Sequence, residues 1–335
     1  MIIDSPNILI VTTKVDIATD YVIAKLAHLG STFYRLNTED LPLLASSTIR
    51  IEPSNGALSR TWGLEANRRV SLDNVTSIWY RRHRLPVMPE EMSNAHTEYC
   101  LREADWYLKG ILLSFEMATR DIRWMSPPMH IQMAESKIFQ LATARLLGFR
   151  LPDTIVSNDG DEIRNFFDKN EGNVIAKPLR LGYFDYGDRQ TAVFTSRIHQ
   201  GDLVDDRPLK LAPVIYQELL HKRFDIRVTV VDQDLFAVAI DSQKVPSAKV
   251  DWRKSDTDAL EHFSHNLPTE VGELCLRLME KLGLKYGAID LVLTTEDEYY
   301  FLEINPNGQW AWLEDRLALP ISNSIASWLH NAPKD

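Results

Sequence analysis

The sequence predicts a chain of mixed α/β and α+β class, divided into an N-terminal domain with a parallel sheet and two α+β domains. These domains are expected at residues 1–128, 129–214 and 215–335. A strand–helix–strand unit at the start of the chain predicts the parallel sheet. A pair of prolines at 127–128 predicts the first boundary, and two later pairs of apolar strands with short polar turns between them predict antiparallel hairpins.

The first domain opens with the strand–helix–strand unit. Residues 7–13 (NILIVTT) are apolar and β-branched, which is typical of a buried strand. Residues 16–30 follow with helical spacing and end at Gly30, and residues 31–37 alternate as a second strand. No G-x-G-x-x-G motif follows the first strand, so a dinucleotide site of that kind is not indicated.

The remaining elements are predicted from the same periodicities. The first domain continues with a meander of short strands at 49–73, a strand at 77–84 that runs into a basic cluster, and a helix at 90–119. The central domain has helices at 133–148, with an apolar stripe through Ile138, Leu141 and Leu146, and at 162–170, and strands at 151–157, 173–179 and 191–196. The last domain has a strand at 214–220, hairpins at 224–240 and 287–305, and helices at 268–282 and 317–331.

Composition and charge exclude several classes of protein. The formal net charge of -10 disfavours nucleic-acid binding as the main role, because phosphate backbones favour basic surfaces. Cys100 and Cys275 form no C-x-x-C pair, so neither a disulfide framework nor a zinc site is indicated. The start of the chain lacks the features of a signal peptide, and no apolar run approaches the roughly 20 residues of a membrane span. We therefore expect a cytoplasmic protein with no membrane partner.

The hairpin at 287–305 carries the most informative pattern. If its turn is symmetric about Glu296 and Asp297, Asp290 lies directly opposite Glu303, where two like charges destabilise a sheet. Asn305 lies on the same face, two residues further along the strand. A divalent cation resolves the repulsion, and Mg²⁺ is favoured because it takes one or two carboxylates together with phosphate oxygens. The alternative is that both acids lie on a solvated strand face.

Several segments together resemble the ATP-grasp superfamily. AIDLVL and FLEINPNG (288–293 and 301–308) are similar to its metal-binding hairpin. Residues 135–157, VIAKPL (174–179), YQELL (216–220) and FDIRVTVV (224–231) are similar, in that order, to the start of its central domain, its phosphate-binding lysine strand, its adenine hinge and its arginine strand. The resemblance spans roughly residues 130 to 310 and implies an ATP-grasp architecture, with two α+β domains that sandwich the nucleotide.

Three further motifs narrow the resemblance. IWYRR (78–82), VDWR (250–253) and EINPNGQWAWLE (303–314) resemble the peptide maturases that cyclise microviridin-type precursors, with RimK-like ligases as near relatives. This resemblance implies that the protein uses ATP and one or two Mg²⁺ ions as cofactors and acts on a precursor peptide or another carboxylate substrate. It also implies that ATP phosphorylates a carboxylate and that a hydroxyl or amine then displaces the phosphate, which forms an ω-ester or ω-amide. The sequence leaves the oligomeric state open between a monomer and a homodimer.

The resemblance assigns roles to individual residues. The metal ligands are Asp290, Glu303 and Asn305, and the catalytic cation is Arg227, whose planar donors suit an acyl phosphate. The nucleotide-binding residues are Lys137, Lys177, Gly182, Gln217, Glu218, Leu219, Leu220 and Asp225. Lys177 has the alternative role of an edge-strand lysine. The loop with Gly182 and Gly187 would cover the triphosphate, or would be an ordinary hairpin turn.

The basic cluster of the first domain is a candidate substrate site. Arg81, Arg82 and Arg84 follow a strand of the predicted parallel sheet, and ligands bind at such strand ends. They could bind the acidic residues of a peptide, or could be a solvated patch. Trp310 and Trp312 could line the pocket, although we expect at least one of them in the core.

Three other functions fit the same residues. The first is a RimK-like ligase that adds an amino acid to a carboxylate. The second is a regulator that binds ATP without catalysis, which the presence of all three predicted metal ligands disfavours. The third is a kinase that stops at phosphate transfer. No Ser/His/Asp triad or nucleophilic cysteine setting is evident, so the sequence does not indicate catalysis through a covalent enzyme intermediate.

Overall fold

The computed structural model describes residues 2–52, 58–64, 68–116, 121–180, 183–185 and 190–331. The chain forms two compact units, one of residues 1–128 with 320–335 and one of residues 129–319. The division of the second unit into a central and a C-terminal domain stays a prediction. Among the described residues, no helix is both long enough and apolar enough to cross a membrane.

The first unit contains two four-stranded sheets. One is fully parallel, in the order β3-β2-β7-β8, and the other has the order β1-β6-β5-β4. The strands are β1 (Ile2–Asp4), β2 (Ile8–Thr12), β3 (Phe33–Asn37), β4 (Ala45–Ile51), β5 (Leu58–Leu64), β6 (Arg68–Ser71), β7 (Ser77–Tyr80) and β8 (Arg123–Met125). The helices are α1 (Ile17–His28) and α2 (Asn94–Ser114), and a C-terminal helix (Ile321–His330) packs on α1.

The predicted strand–helix–strand unit is confirmed. Strand β2 is buried along its whole length, which matches its unbroken apolar sequence, and it pairs in parallel with both β3 and β7. Gly30, just after α1, has a φ of +69°, a conformation that glycine adopts without steric cost. The predicted meander is the antiparallel set β4-β5-β6.

The predicted start of the helix at 317–331 is wrong. A helix at Ala311–Leu317 ends at Ala318, whose φ of +52° is left-handed, and the C-terminal helix begins only after Pro320. The proline lacks an amide hydrogen and disfavours a helical conformation at the residue before it. Two helices therefore replace the single predicted one.

The second unit begins with helices and a four-stranded antiparallel sheet of order β13-β10-β14-β9. Its elements are α3 (Pro128–Ala134), α4 (Lys137–Leu147), β9 (Thr154–Ser157), α5 (Gly160–Lys169), β10 (Val174–Lys177), β11 (Tyr183–Asp185), β12 (Gln190–Ala192), β13 (Ser196–Arg197), α6 (Asp206–Leu211) and β14 (Val214–Glu218). The prediction of one helix at 133–148 is wrong at its start, because a new helix begins at Lys137 after Ser136. Its predicted end at Gly148 is confirmed, with a left-handed φ of +98°.

A five-stranded antiparallel sheet completes the second unit, in the order β17-β16-β15-β18-β19. Its elements are β15 (Lys222–Val231), β16 (Asp234–Asp241), β17 (Glu261–Ser264), α7 (Thr269–Leu282), β18 (Tyr286–Thr294), β19 (Tyr299–Asn305) and α8 (Ala311–Leu317). Both predicted hairpins, β15–β16 and β18–β19, are confirmed. The central strand β15 therefore lies between β16 and β18, where its alternate side chains are buried on both faces.

Candidate functional site

The hairpin of β18 and β19 brings two carboxylates face to face. Asp290 pairs with Glu303, as predicted. The assumed turn is wrong by one residue, because Thr294 pairs with Glu298 around a three-residue loop in which Asp297 has a φ of +61°. The register then shifts at Leu302, which has no partner on β18. The extra residue in β19 offsets the one-residue difference in the turn, so that the two acids still pair. Bulges commonly redirect side chains at functional sites.

The segment after β19 is a tight turn that fixes Asn305. The Gly308 amide donates to the Asn305 carbonyl at 3.1 Å, and the Asn307 amide donates to Asn305 Oδ1 at 3.0 Å. The Asn305 side chain is exposed, and it lies on the same strand face as Glu303. An amide oxygen has two lone pairs, so Asn305 Oδ1 can still accept from, or coordinate, a second group.

Both carboxylates are paired with cationic side chains. Arg227 Nη1 donates to the two carboxylate oxygens of Asp290 at 2.9 and 2.8 Å. Glu303 accepts from Arg253 Nη1 at 3.1 Å through Oε1, and its Oε2 lies 3.1 Å from Lys137 Nζ. The side chains of Asp290 and Glu303 are only 14% and 13% exposed. The alternative that these acids lie on a solvated strand face is therefore wrong.

Helix α4 positions Lys137 against the hairpin. Gln140 is buried one turn after Lys137, donates to the Ile304 carbonyl at 2.8 Å and accepts from the Ile304 amide at 3.0 Å. Because residues three apart lie on neighbouring positions of one helix face, this clamp directs Lys137 toward Glu303. The buried face of α4 carries Gln140, Leu141 and Ala144, and not the predicted Ile138 and Leu146, which are exposed. Gln140 was not predicted as a site residue, because in the sequence it is simply one polar residue within an amphipathic helix.

Lys177 ends a strand that lies inside its sheet. Strand β10 is flanked by β13 and β14, so the alternative of an edge-strand lysine is wrong. Burial lowers the pKa of Lys177 to about 8, and the neighbouring carboxylate of Glu303 only partly opposes this effect. Its ammonium lies 3.5 Å from the Leu302 carbonyl. A buried lysine with this one hydrogen-bond acceptor in the described part of the chain is suited to binding an anion.

The two carboxylates have opposite pKa shifts. Burial raises the pKa of Glu303, but Lys137, Lys177 and Arg253 outweigh burial and lower that pKa to about 2. Burial also raises the pKa of Asp290, and Arg227 does not fully offset the effect of burial and of the Glu303 charge. An added divalent cation would favour the ionised form of both groups.

Asp225 lies in a buried cluster with Lys222 and Ser242. Both of its carboxylate oxygens accept from Lys222 Nζ, at 2.8 and 2.9 Å, and Ser242 Oγ also donates to it. It makes no described contact with Arg227, although both side chains lie on the same face of β15. Its role toward a nucleotide stays a prediction. Lys222 was missed because a lysine at a strand start is usually solvated.

Arg253 and Asp251 are the main site residues that sequence reasoning left without a role. Asp251 accepts from Arg253 Nε at 2.9 Å and from Arg253 Nη2 at 3.1 Å, and its second oxygen also accepts from the Thr195 amide at 3.1 Å. Burial raises the pKa of Asp251, but Arg253 outweighs it and lowers that pKa. The signal for both residues was the VDWR motif, which pointed to a family but not to a contact.

The predicted adenine hinge lies at the end of β14. Gln217 is fully buried, and its amide nitrogen donates to Thr154 Oγ1 at 2.9 Å, while its Oε1 has no partner among the described residues. The backbone amide of Glu218 donates to the Asp153 carbonyl, and that of Leu219 donates to the Asn173 carbonyl. Leu220 follows them in the irregular segment before β15. The hinge assignment stays a prediction.

Several of these groups line a cleft in the second unit with an empty volume of about 510 Å³, including the part open to solvent. Its lining includes Lys177, Gln217, Asp225, Arg253, Asp290 and Glu303. The donor set fits magnesium, which prefers carboxylate and amide oxygens, and the lysines fit phosphates. The unpaired Gln217 Oε1 fits a ligand with a hydrogen-bond donor. The predicted residue Gly182, with Gly187, lies outside the described part of the chain.

The predicted substrate arginines lie in the first unit, after β7, and do not share one surface. Arg81 is fully buried, and its Nε lies 3.6 Å from an Asp16 oxygen. Arg82 is half-buried and Arg84 is exposed. A substrate role for these arginines stays a prediction. Arg84 is the one of the three with an exposed side chain.

The two tryptophans after the hairpin differ in burial. Trp310 is fully buried in the core, as expected for at least one of the pair. Trp312 packs on Trp252, with ring centroids 5.8 Å apart, and on His262, at 5.0 Å. This aromatic cluster supports the segment that carries Asp251 and Arg253.

Comparison with known proteins gives one family match and many structural matches. The model of the MvdD pre-ATP grasp domain matches residues 7–131. No curated protein sequence matches the chain. A RiPP-associated ATP-grasp ligase from Chryseobacterium gregarium, in complex with ADP and a leader and core peptide, is 28% identical. The match covers 99% of this chain and 98% of that one, with a TM-score of 0.89.

Two further structures extend the comparison. The macrocyclase MdnC from Microcystis aeruginosa, bound with the precursor peptide MdnA, is 28% identical over 97% of this chain and 99% of its own, with a TM-score of 0.84. The ATP-grasp ligase PsnB, complexed with a precursor variant, Mg and ADP, is 22% identical over 97% of each chain, with a TM-score of 0.72, and supports the fold alone. The predicted fold class and the resemblance to these peptide-modifying ATP-grasp ligases are therefore confirmed.

Proposed function

We propose that this chain is an ATP- and Mg²⁺-dependent ligase that forms ω-ester or ω-amide crosslinks in a ribosomally made precursor peptide, with ADP as a product. The observation that carries the proposal is the cleft in which Asp290 and Glu303 face each other among Lys137, Lys177 and Arg227. The similarity to two peptide-bound ligases at 28% identity supports the substrate class.

The proposed reaction has two steps. The side-chain carboxylate of an acidic residue attacks the terminal phosphoryl group of ATP, which gives an acyl phosphate and ADP. A hydroxyl or amine of the same peptide then attacks the acyl carbon and releases phosphate. The hydroxyl or amine loses one proton, and the peptide loses one water for each bond formed.

The side chains of the cleft would position and neutralise charge. Lys137 and Lys177 would bind the phosphates, and Arg227 would stabilise the charge of the transferring phosphoryl group with its planar donors. The hinge at residues 217–220 would bind the adenine. Magnesium, held by Asp290, Glu303 and Asn305, would neutralise negative charge on the phosphate oxygens. The number of ions, the oligomeric state and a cytoplasmic location stay predictions of the sequence.

The test is co-expression of the chain with a short acidic peptide, rich in Thr, Ser or Lys, encoded beside its gene. Mass spectrometry of the peptide should show the loss of one water per crosslink, and purified enzyme should release ADP only when the peptide is present. A peptide that gains an amino acid would indicate a RimK-like ligase, and a stable phosphopeptide would indicate a kinase. Nucleotide binding without turnover of any peptide or small carboxylate would overturn the proposal in favour of a regulator.

A further inference from the structure

In the cleft, cationic side chains already pair with the carboxylate oxygens that a metal ion would use. Both carboxylate oxygens of Asp290 accept from Arg227, at 2.9 and 2.8 Å. One oxygen of Glu303 accepts from Arg253 at 3.1 Å, and the other lies 3.1 Å from Lys137 Nζ. A magnesium ion coordinates oxygen directly at about 2.0–2.1 Å and holds near-ideal octahedral geometry. A magnesium ion would therefore share these oxygens with cationic donors, whose positive charges repel it.

The charges of the cluster oppose a metal ion that arrives alone. Among the described residues of the cluster, Lys137, Lys177, Arg227 and Arg253 face the carboxylates of Asp251, Asp290 and Glu303, while Asp225 and Lys222 neutralise each other. One positive charge is thus in excess before any ligand binds. A divalent cation would add two more charges of the same sign to a largely desolvated site, where repulsion is only weakly screened. A polyphosphate reverses this balance.

The three paired cations differ in how firmly they are held. Arg253 is anchored by two hydrogen bonds to Asp251, a residue that is itself only 4% exposed. Among the described residues, Lys137 has the Pro178 carbonyl, at 3.0 Å, as its one partner besides Glu303, and its four-carbon stem is flexible. Arg227 also has a weak contact at 3.4 Å with the Gln309 carbonyl. Arg253 is therefore the more firmly held partner of Glu303, whereas Lys137 can move to another anion.

We propose that Lys137 is an exchangeable counter-ion that keeps the metal from Glu303 until the phosphates of a nucleotide attract it away. Metal and nucleotide then bind as a coupled pair, and the free protein has little affinity for the metal alone. This inference rests on the proposed function, since it takes the cleft as the nucleotide site. By linkage, the nucleotide strengthens metal binding by the same factor by which the metal strengthens nucleotide binding.

The experiment is a titration of the full chain with Mn²⁺, followed by electron paramagnetic resonance of the free ion, with and without saturating ADP. We expect Mn²⁺ to bind at least about 30-fold more tightly with ADP, within the usual range of coupling between two ligands. Lys137→Met should strengthen binding of Mn²⁺ alone by about tenfold or more. Lys244→Met removes a lysine that pairs with two carboxylates away from the cleft, and should change nothing.

The outcomes separate this inference from the proposed function. ADP binding is measured by calorimetry on the same samples, and circular dichroism checks that each variant is folded. If ADP does not bind, the proposed function fails, and this inference fails with it. If ADP binds but the wild-type chain binds Mn²⁺ equally well without it, only the coupling is overturned. An unchanged affinity of Lys137→Met for Mn²⁺ alone would also overturn it, and should that variant not fold, the wild-type comparison still decides.

Discussion

Arg227 and Asp290 lie opposite each other on neighbouring strands and form a two-point ion pair, with one guanidinium nitrogen 2.9 and 2.8 Å from the two carboxylate oxygens. The pair links the predicted catalytic cation to a predicted metal ligand within one sheet. Since Arg227 is only 7% exposed, its charge is poorly screened by solvent and acts strongly on any ligand in the cleft.

Replacement of Arg227 by lysine should reduce peptide-dependent ADP formation by about 10²-fold. Lysine keeps the charge but loses the planar fork of donors, and loss of one electrostatic stabiliser of a transition state typically costs about 10²–10³ in rate. Steady-state kinetics of ADP release measure the effect. The control is Arg223→Lys on the same strand, because Arg223 forms an exposed ion pair with Asp297. Equal rates for the two variants would contradict the assigned role of Arg227.

Gly308→Ala should impair the site through Arg227. A Cβ at this position would lie 2.6 Å from Arg227 Nη2 and 2.4 Å from the Ala288 Cβ, closer than such atoms approach in proteins. We expect at least about a tenfold loss in rate, because displacement of a positioning group by about 1 Å can cost about 10²-fold. Gly110→Ala is the matched control, since it lies in α2 with nothing within 4 Å and should be neutral or slightly stabilising. Normal turnover by Gly308→Ala would show that the fit around Arg227 is not needed.

The Asp251–Arg253 pair should contribute to the free energy of unfolding. Asp251 is buried, while the Arg253 side chain is 37% exposed and partly screened, so we expect a coupling of only about 1–2 kcal/mol. A double-mutant cycle of Asp251→Asn and Arg253→Met in urea measures it. Asp205 and Arg207 have the same sequence spacing and hydrogen bonds, but both are more exposed, and the same cycle there should give no measurable coupling. Identical coupling at the two pairs would show that burial of Asp251 has no energetic effect.

Nucleotide affinity should fall as pH rises through about 8. Burial lowers the pKa of Lys177 from 10.5 to about 8, so above this pH the free protein loses the charge that attracts phosphates. The ADP dissociation constant, measured without metal, should rise by up to about tenfold per pH unit above about pH 8. Lys177→Arg keeps its charge and should flatten the profile, even if its affinity is lower.

The same group should have the opposite effect on the stability of the free protein. Between about pH 8 and 10.5 the unfolded chain binds more protons than the folded one at Lys177, so this residue's contribution to the unfolding free energy increases with pH. Urea unfolding at several pH values, compared between the wild type and Lys177→Met, isolates the contribution. A difference between the two that does not change with pH would contradict the lowered pKa.

Local patterns in the sequence were enough to predict much of the hairpin site. Asp290 and Glu303 are only 13 residues apart, and the pairing of two strands joined by a short turn follows from alternation and turn composition. The prediction succeeded although its turn was wrong, because the bulge at Leu302 shifted the register by one residue and compensated for the three-residue loop. The polar face of β15, with Asp225 and Arg227, followed from the same two-residue period.

The contacts that make the hairpin a site depend on the tertiary structure. Lys137 reaches Glu303 across more than 160 residues, because Gln140 fixes α4 against β19. Arg253 reaches it from a loop whose position is set by the Thr195 amide and the tryptophan cluster. Arg81, predicted as a possible surface residue, is instead buried beside Asp16.

The amino-acid sequence by itself therefore determined most of the elements and the pairing of the two acids. These depend on side-chain period and short-range pairing, which act over a few residues. Only the tertiary structure decided which cations meet the acids and how deeply all of them are buried. Burial and long-range contact arise when separate elements pack together, and the strength of each charge depends on the solvent that this packing excludes.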